Sequence, residues 1–307
     1  MRTYIVRIIA RTKGPTVNLQ LKRLVPKRFR GGGPVIPVVR LQGTIAAGGS
    51  PMSQTLSLAT TASMIERAFA DKQAPAVAFA INSPGGSAAQ SRLIHRRIRD
   101  LAEEKKKPVL MFTEDVAASG GYMIAVAGDE IIADPSSIVG SIGVISAGFG
   151  FVEAINKLGV ERRVYTAGEN KSVLDPFQPE KKEDVERLKT MQLEIHRVFI
   201  DLVKSRRGDR LGDDPDLFTG AFWAGEQAKE LGLVDHIGDM RSFLKERFGK
   251  KTELRLIQPQ RNIFGRRSPT GVVGAIGRFD PQALSATAAE GLMRAVEDRA
   301  LWARFGL

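Results

Sequence analysis

The sequence predicts an α/β protein built on a parallel sheet, and three observations carry that prediction. Short apolar runs recur at Val35–Leu41, Val77–Ile81, Val109–Phe112 and Ile131–Ala133, without the alternation of a half-exposed strand; strands buried on both faces read this way. Helical stretches fall between them, at Thr60–Asp71, Ser87–Glu104 and Gly120–Ala127, which is the strand–helix alternation of an α/β sheet. Two glycine-rich turns, Asn82-Ser-Pro-Gly-Gly-Ser87 and Ala118-Ser-Gly-Gly121, sit where a strand gives way to a helix. With 307 residues, 43% of them hydrophobic, the chain can bury a sizeable core as one large or two modest domains.

In chain order, residues 1–34 form a basic arm. Residues 1–65 hold Lys or Arg at ten positions (2, 7, 11, 13, 22, 23, 27, 28, 30 and 40), and the first acid is Glu66; the whole chain carries +12. Three readings of the arm stay open. Residues 1–30 can lie on an anionic membrane, where each cation contributes about 1 kcal/mol; they can be a disordered or subunit-packing element; or they can be an organellar targeting peptide. No apolar run reaches the 18 or so residues of a membrane span, so a cytoplasmic protein, peripheral to the inner membrane at most, is expected. No aromatic stacking platform accompanies the basic residues, and nucleic acid is not an expected partner.

Gly31-Gly-Gly-Pro34 reads as the hinge into a core of residues 35–250. Within it, Val35–Leu41 is the first strand and Ala46–Pro51 a loose connection. Ile142–Ala147 reads as a strand, either buried or an edge to which an extended substrate adds. Arg163–Thr166 reads as another strand. Glu180–Arg206 predicts a long amphipathic helix with Val185, Leu188, Met191, Ile195, Phe199 and Leu202 on one stripe. Ala221–Asp235 predicts a short helix before a strand, and residues 251–307 a C-terminal extension ending in a helix-like stretch, Pro281–Phe305. The absence of cysteine excludes disulfides, thiolate metal sites and thiol nucleophiles.

The residues that carry chemistry cluster at the two turns. Ser119 sits between a strand and a helix, where its hydroxyl is raised at the sheet edge beside the free amides of a helix N-terminus; that is the arrangement of a nucleophile, though an N-cap serine on a tight turn looks the same. The amides of Gly86 and Gly120 together would make a two-donor oxyanion hole, while Ser87 reads as the N-cap of the helix carrying Ile94, Ile98 and Leu101. A base is harder to find. His95, His196 and His236 are the chain's three histidines, and none has a distinctive setting. Lys171, in a loop with Gly168 and Asn170, is the better candidate. A lysine acts as a base only when neutral, so burial must lower the ammonium from its usual value of about 10.4; Val173, Leu174 and Phe177 are expected to supply it.

Four ordered motifs, Ile81–Ser87, Asp115–Tyr122, Val139–Ile145 and Lys171–Phe177, make the chain resemble the signal peptide peptidase family of Ser/Lys serine proteases (peptidase family S49) in its short, single-module form. The resemblance covers roughly residues 35–250. It implies a Clp-protease/crotonase-like spiral of strand–strand–helix units, Ser119 as nucleophile, Lys171 as general base, Gly86 and Gly120 as oxyanion hole, and Ser141 as the hydroxyl that orients the lysine amine. Gly85, Ser87 and Ile145 are expected to line the substrate. Family members form rings or bowls, so a homo-oligomer is expected, with no metal and no organic cofactor.

The function expected is a serine endopeptidase that cuts peptides or unfolded segments, signal peptide remnants among them, through an acyl-enzyme. A crotonase-like acyl-CoA hydratase or isomerase, whose oxyanion hole also uses two amides, and a non-catalytic membrane scaffold remain as alternatives.

Overall fold

The computed structural model describes residues 32–48, 55–259, 295–296 and 298–307. Expectations about the basic arm, and about most of Pro281–Phe305, lie outside these residues.

The sheet is built around β2 (Val77–Ser83), every residue of which is buried. Strand β1 (Val35–Gln42) and strand β3 (Val109–Ala118) flank it, both parallel. Beyond β1 the edge is β8 (Glu253–Leu256), again parallel, so the sheet continues past residue 250. The ten residues of β3 serve two neighbours in succession: Leu110–Thr113 pair with β4 (Glu130–Ala133), and Val116–Ala118 pair with β5 (Ile138–Gly140). Strand β6 (Phe222–Ala224) runs antiparallel on β5, and β7 (His236–Ile237) runs parallel on β4. The apolar runs read from the sequence are therefore strands, and the expected α/β class holds.

Helices follow the strands. Helix α1 (Leu58–Phe69) opens with a capping box between Ser57 and Thr60. Helix α2 (Ala88–Lys105) is capped by Ser87, whose side chain accepts from Gln90 N, as expected. Helix α3 (Gly120–Ala125) is short and buried at all six residues. Together the three cover one face of the sheet. Ile94, Ile98 and Leu101 of α2 meet Phe79 and Ile81 of β2 in the main core. The opposite face carries a smaller core, Ile36, Val38, Ala78, Leu110 and Phe112, roofed by Leu244 of α7 (Met240–Phe248). Between β6 and β7 lies α6 (Gly225–Glu230), the short helix expected before a strand.

Two buried polar arrangements fix α3. Tyr122 is fully buried, and its hydroxyl donates to Leu233 O at 2.9 Å; burial raises its pKa far above the phenol range. At the other end, Arg206 donates to Val126 O and Gly128 O and Arg99 to Ala127 O. These cations meet the C-terminal carbonyls, where the helix dipole favours positive charge.

Two expected strands are absent. Ile142–Ala147 and Arg163–Thr166 adopt no regular structure. The first fails because Ser141 has φ 52°, which turns the chain out of the strand direction, and because β5 already has a neighbour on each side, β3 and β6. The second fails because residues 161–171 are exposed throughout and Tyr165 is 90% exposed, so no neighbouring strand is present to accept the backbone. A short unexpected helix, α4 (Val152–Lys157), interrupts this arm. Helix α5 (Lys182–Arg207) matches expectation, but only Phe199, Val203 and Arg207 are buried; Met191 and Leu193 stand exposed.

Arg207 is nearly inaccessible and grips Asp235 through two bonds of 2.8 and 3.0 Å, with a third bond to Gly232 O. Burial alone would raise the Asp235 pKa. The Arg207 hydrogen bonds and charge, the Ile131 amide and Arg210 outweigh it and hold the carboxyl below the ordinary range. A depressed carboxyl pKa contributes stability above the unfolded value, about 3.9, that is lost as pH falls through the folded one. Arg207→Met should cost about 3–5 kcal/mol by stranding a buried carboxylate, and urea unfolding at pH 7 and pH 4 should show the cost shrinking in acid.

Candidate active site

The site starts from one backbone conformation. Ser119, between β3 and α3, has φ 52° and ψ −120°, a left-handed geometry that costs a non-glycine residue on the order of 1–3 kcal/mol. Its own amide donates to Gly140 O at 2.9 Å, and its carbonyl accepts from Met123 N at 2.9 Å, which holds the elbow in place. The side chain makes no cap bond to the helix, so the N-cap alternative is not what the hydroxyl does. Half-buried and without a partner among the described residues, Ser119 Oγ is available.

The second turn packs against the first at glycine-only distances. A methyl on Gly85 would stand 2.8 Å from Ser119 Cβ and 2.9 Å from Gly120 N. A methyl on Gly120 would stand 2.4 Å from Ser91 Oγ and 3.4 Å from Gly86 N. Ile45 braces this turn from outside: Ile45 N donates to Gly85 O at 2.8 Å and Ile45 O accepts from Ser87 N at 2.7 Å. Gly86 N, between those two bonds, has no acceptor among the described residues, and Gly120 N is the first amide of α3, with no intrahelical acceptor. Two free amides thus converge beside Ser119, which is the geometry that stabilises a developing oxyanion.

Ser141 lies on the neighbouring strand end. Ala118 and Gly140 are paired in the ladder, so Ser119 and Ser141 each follow one member of the couple. Ser141 has φ 52° and is 4% exposed, with its amide held by Ala221 O at 2.7 Å. Gly140 is glycine for contact as well as φ, since a methyl there would meet the Trp223 ring at 2.8 Å.

Lys171 stands apart. It is exposed, in a turn closed by Lys171 N to Gly168 O at 3.3 Å, and its ammonium has no partner among the described residues. Val173, Leu174 and Phe177 are half-buried, but against their own arm: Phe177 stacks on Phe151 with centroids 5.4 Å apart and carries the Arg162 guanidinium over its ring. Within one chain the structure brings Ser119, Gly85, Gly86, Gly120 and Ser141 together, with Ser87 as the cap behind them, and leaves Lys171 and Ile145 on the exposed arm.

Two supporting residues escape a reading of the motifs. Ser83 donates to Gly43 O at 2.7 Å and accepts from Gly85 N, and Asn82 donates to Asp115 and accepts from Val116 N. Their sequence signal is a polar pair ending an otherwise apolar strand. Among the described residues no group of three or more His, Asp or Glu side chains is placed to hold a metal ion.

The family model described as peptidase family S49 matches residues 102–252, which begin late in α2 and include Ser119, Ser141 and Lys171. The chain belongs to peptidase family S49. It is 31% identical over 235 residues to the chloroplastic serine protease SPPA of Arabidopsis thaliana, covering 74% of this chain and 34% of that protein. It is 63% identical over 287 residues to a Brucella abortus protein named Na(+)/H(+) antiporter NhaA, covering 94% of this chain but 39% of that protein. That name belongs to the whole Brucella protein; the S49 match lies inside the present chain, in which no described helix is long and apolar enough to cross a membrane. The chain thus spans about two-fifths or less of the length of these relatives. Among solved structures it is similar to a variant of 1510-N, a membrane-bound stomatin-specific protease, with 17% identity and a TM-score of 0.45 over 74% of this chain and 99% of that one.

None of the three histidines bonds to Ser119 in this S49 site. His196 Nε2 lies 2.9 Å from Ile142 O, and His236 pairs with Glu130 on the far side of the sheet. His95 is buried behind α3, and burial, then the charges of Arg206 and Arg99, lower its pKa to about 4. A buried neutral histidine contributes stability above its unfolded pKa near 6.5 that is lost as pH falls toward 4, because the unfolded chain then binds the extra proton. Replacing it as His95→Phe should flatten the acid limb of the stability profile between pH 6.5 and 4, by up to about 3 kcal/mol, and leave peptide hydrolysis at pH 8 within about twofold.

Proposed function

We propose that this chain is a serine endopeptidase working through a Ser119/Lys171 dyad on peptides or unfolded segments, signal peptide remnants included. The observation that carries the reading is the free Ser119 hydroxyl on its left-handed elbow, with the Gly86 and Gly120 amides converging beside it. Membership of family S49 supports it.

In this mechanism neutral Lys171 takes the Ser119 proton as Oγ adds to the scissile carbonyl. The oxyanion is held by the two amides, the Oγ–C bond forms, and the C–N bond breaks with the lysine proton passing to the leaving amine. Lysine then activates a water that hydrolyses the acyl-enzyme. The Ser141 hydroxyl orients the amine. No metal and no organic cofactor enters these steps.

The arm bearing Lys171 needs a surface to fold onto, and a second copy of the chain is the partner we infer. Ile145, Phe149, Leu158, Val160, Tyr165, Met191 and Leu193 are all at least half exposed in the single chain, an apolar display larger than isolated soluble proteins carry. Packing copies side by side buries it, desolvates Lys171 and closes the ring or bowl that admits only extended substrates, which pass Gly85, Ser87 and Ile145. The basic residues 1–30 hold the assembly against an anionic membrane surface from the cytoplasmic side.

Ser119→Ala and Lys171→Met should each lower kcat for fluorogenic peptide hydrolysis by at least about 10³-fold, and a fluorophosphonate should label Ser119 alone; activity surviving in either variant overturns the dyad. Leu158→Glu with Tyr165→Lys should shift the sedimentation mass to that of a smaller species and abolish hydrolysis together. An unchanged mass would reject the arm as the subunit contact.

A further inference from the structure

We propose that the apolar pocket next to Ser119 is a substrate subsite for an aromatic side chain, and that the C-terminal segment of the chain fills it in cis. This rests on the peptidase reading above and names the substrate feature that reading leaves open.

The floor of the pocket is Val116 and Ala118, the last outward-facing residues of β3 before the nucleophile, with Ile138 of β5 beside them. Phe305 sits on that floor, only 7% exposed although it is two residues from the end of the chain. Its ring meets Phe222 edge-on, with centroids 5.1 Å apart, and Trp302 packs alongside. This is a fitted aromatic contact of the offset kind that aromatic pairs prefer. Phe222 belongs to β6 and pairs with Gly140, the residue whose carbonyl holds the Ser119 amide.

The other end of the segment is tied on the opposite flank of the site. Asp298 accepts a hydrogen bond from Thr44 Oγ1, and Thr44 precedes Ile45, the residue that braces Gly86. Residues 298–303 are helical, so a single helical turn and its continuation span from the neighbour of one oxyanion donor to the neighbour of the nucleophile. The outer side of the segment is bare: Val296, Arg299, Ala300, Ala303, Arg304 and Leu307 are exposed. A strap held on one side by one buried ring and one side-chain tether can leave without disturbing the sheet. The pocket it leaves behind has the size and polarity for a phenylalanine-like side chain, one residue away from the acylated serine.

A ligand competing with a segment already in its pocket binds with its intrinsic affinity reduced by the fraction of molecules that are open. The full-length chain carrying Phe305→Asp, and separately Asp298→Asn, tests this. Labelling of Ser119 is followed with two phosphonates, one bearing a benzyl side chain and one with small alkyl groups only. Phe305→Asp should speed the benzyl probe about tenfold and leave the alkyl probe within twofold; Asp298→Asn should act in the same direction and more weakly. For peptide substrates, kcat/KM should rise with kcat unchanged, and only for peptides with an aromatic residue near the cut. Thermal midpoints within a few degrees of the unsubstituted chain establish that both variants fold, and the surface substitution Asp298→Asn stands in should Phe305→Asp not. Equal rates in all three proteins overturn the plug. Equal acceleration of both probes overturns the aromatic subsite. No labelling of Ser119 in any protein, with either probe, sinks the serine peptidase reading and the subsite with it.

Discussion

Everything at the site depends on how closely the two strand-to-helix turns approach. The turn after β2 and the turn after β3 meet at separations that leave no room for a Cβ on Gly85, Gly86 or Gly120. That contact sets Gly86 N and Gly120 N side by side and leaves both free of intramolecular acceptors. It also explains why the elbow at Ser119 is tolerated. A left-handed serine is unfavourable in isolation, but the Gly140 carbonyl, the first turn of α3 and the flat wall of Gly85 hold it from three directions. The helix behind it is held just as firmly, by a buried tyrosine hydroxyl and by guanidinium groups on its last carbonyls.

The parts of the structure written in local chemistry were legible in the sequence. Uninterrupted apolar runs gave β1 to β4 because strands covered on both faces need no alternation. Pro84-Gly-Gly and Ser119-Gly-Gly gave the turns because positive φ and close approach demand glycine. What the sequence hid was non-local. Ile142–Ala147 is as apolar as a strand, but β5 has no vacant edge and Ser141 turns away from it. The roles of Ile45 and Thr44 in bracing the second turn come from a single isolated bridge and one side-chain bond, neither of which leaves a pattern. Lys171 was found by motif, yet its surroundings belong to an arm that the rest of the chain does not cover.

That arm divides the molecule into a finished half and an unfinished one. From β1 to β5 the polar groups are paired and the large apolar side chains are inside, with few orphans, such as His95 Nε2 and Thr113 Oγ1. From Gly143 to the middle of α5 the balance reverses, and aromatic and aliphatic side chains point outward over some fifty residues. The two halves also differ chemically: the finished half carries the nucleophile and the anion-stabilising amides, and the unfinished half carries the base. A site split in this way is armed only in the assembled state, which protects a cell from a peptidase folded but alone.

The division of β3 between two partners has a mechanical consequence. Its first half is locked to β4 and its second half to β5, while β2 runs along the whole of its other edge. A strand clamped by three ladders at different points along its length cannot shear by one register step without breaking all of them in the same event. When a polypeptide is covalently tethered at Ser119 and its free end is pulled, the load enters the sheet at its most redundant member and spreads sideways. The nucleophile is thus mounted on the part of the fold least able to yield under tension.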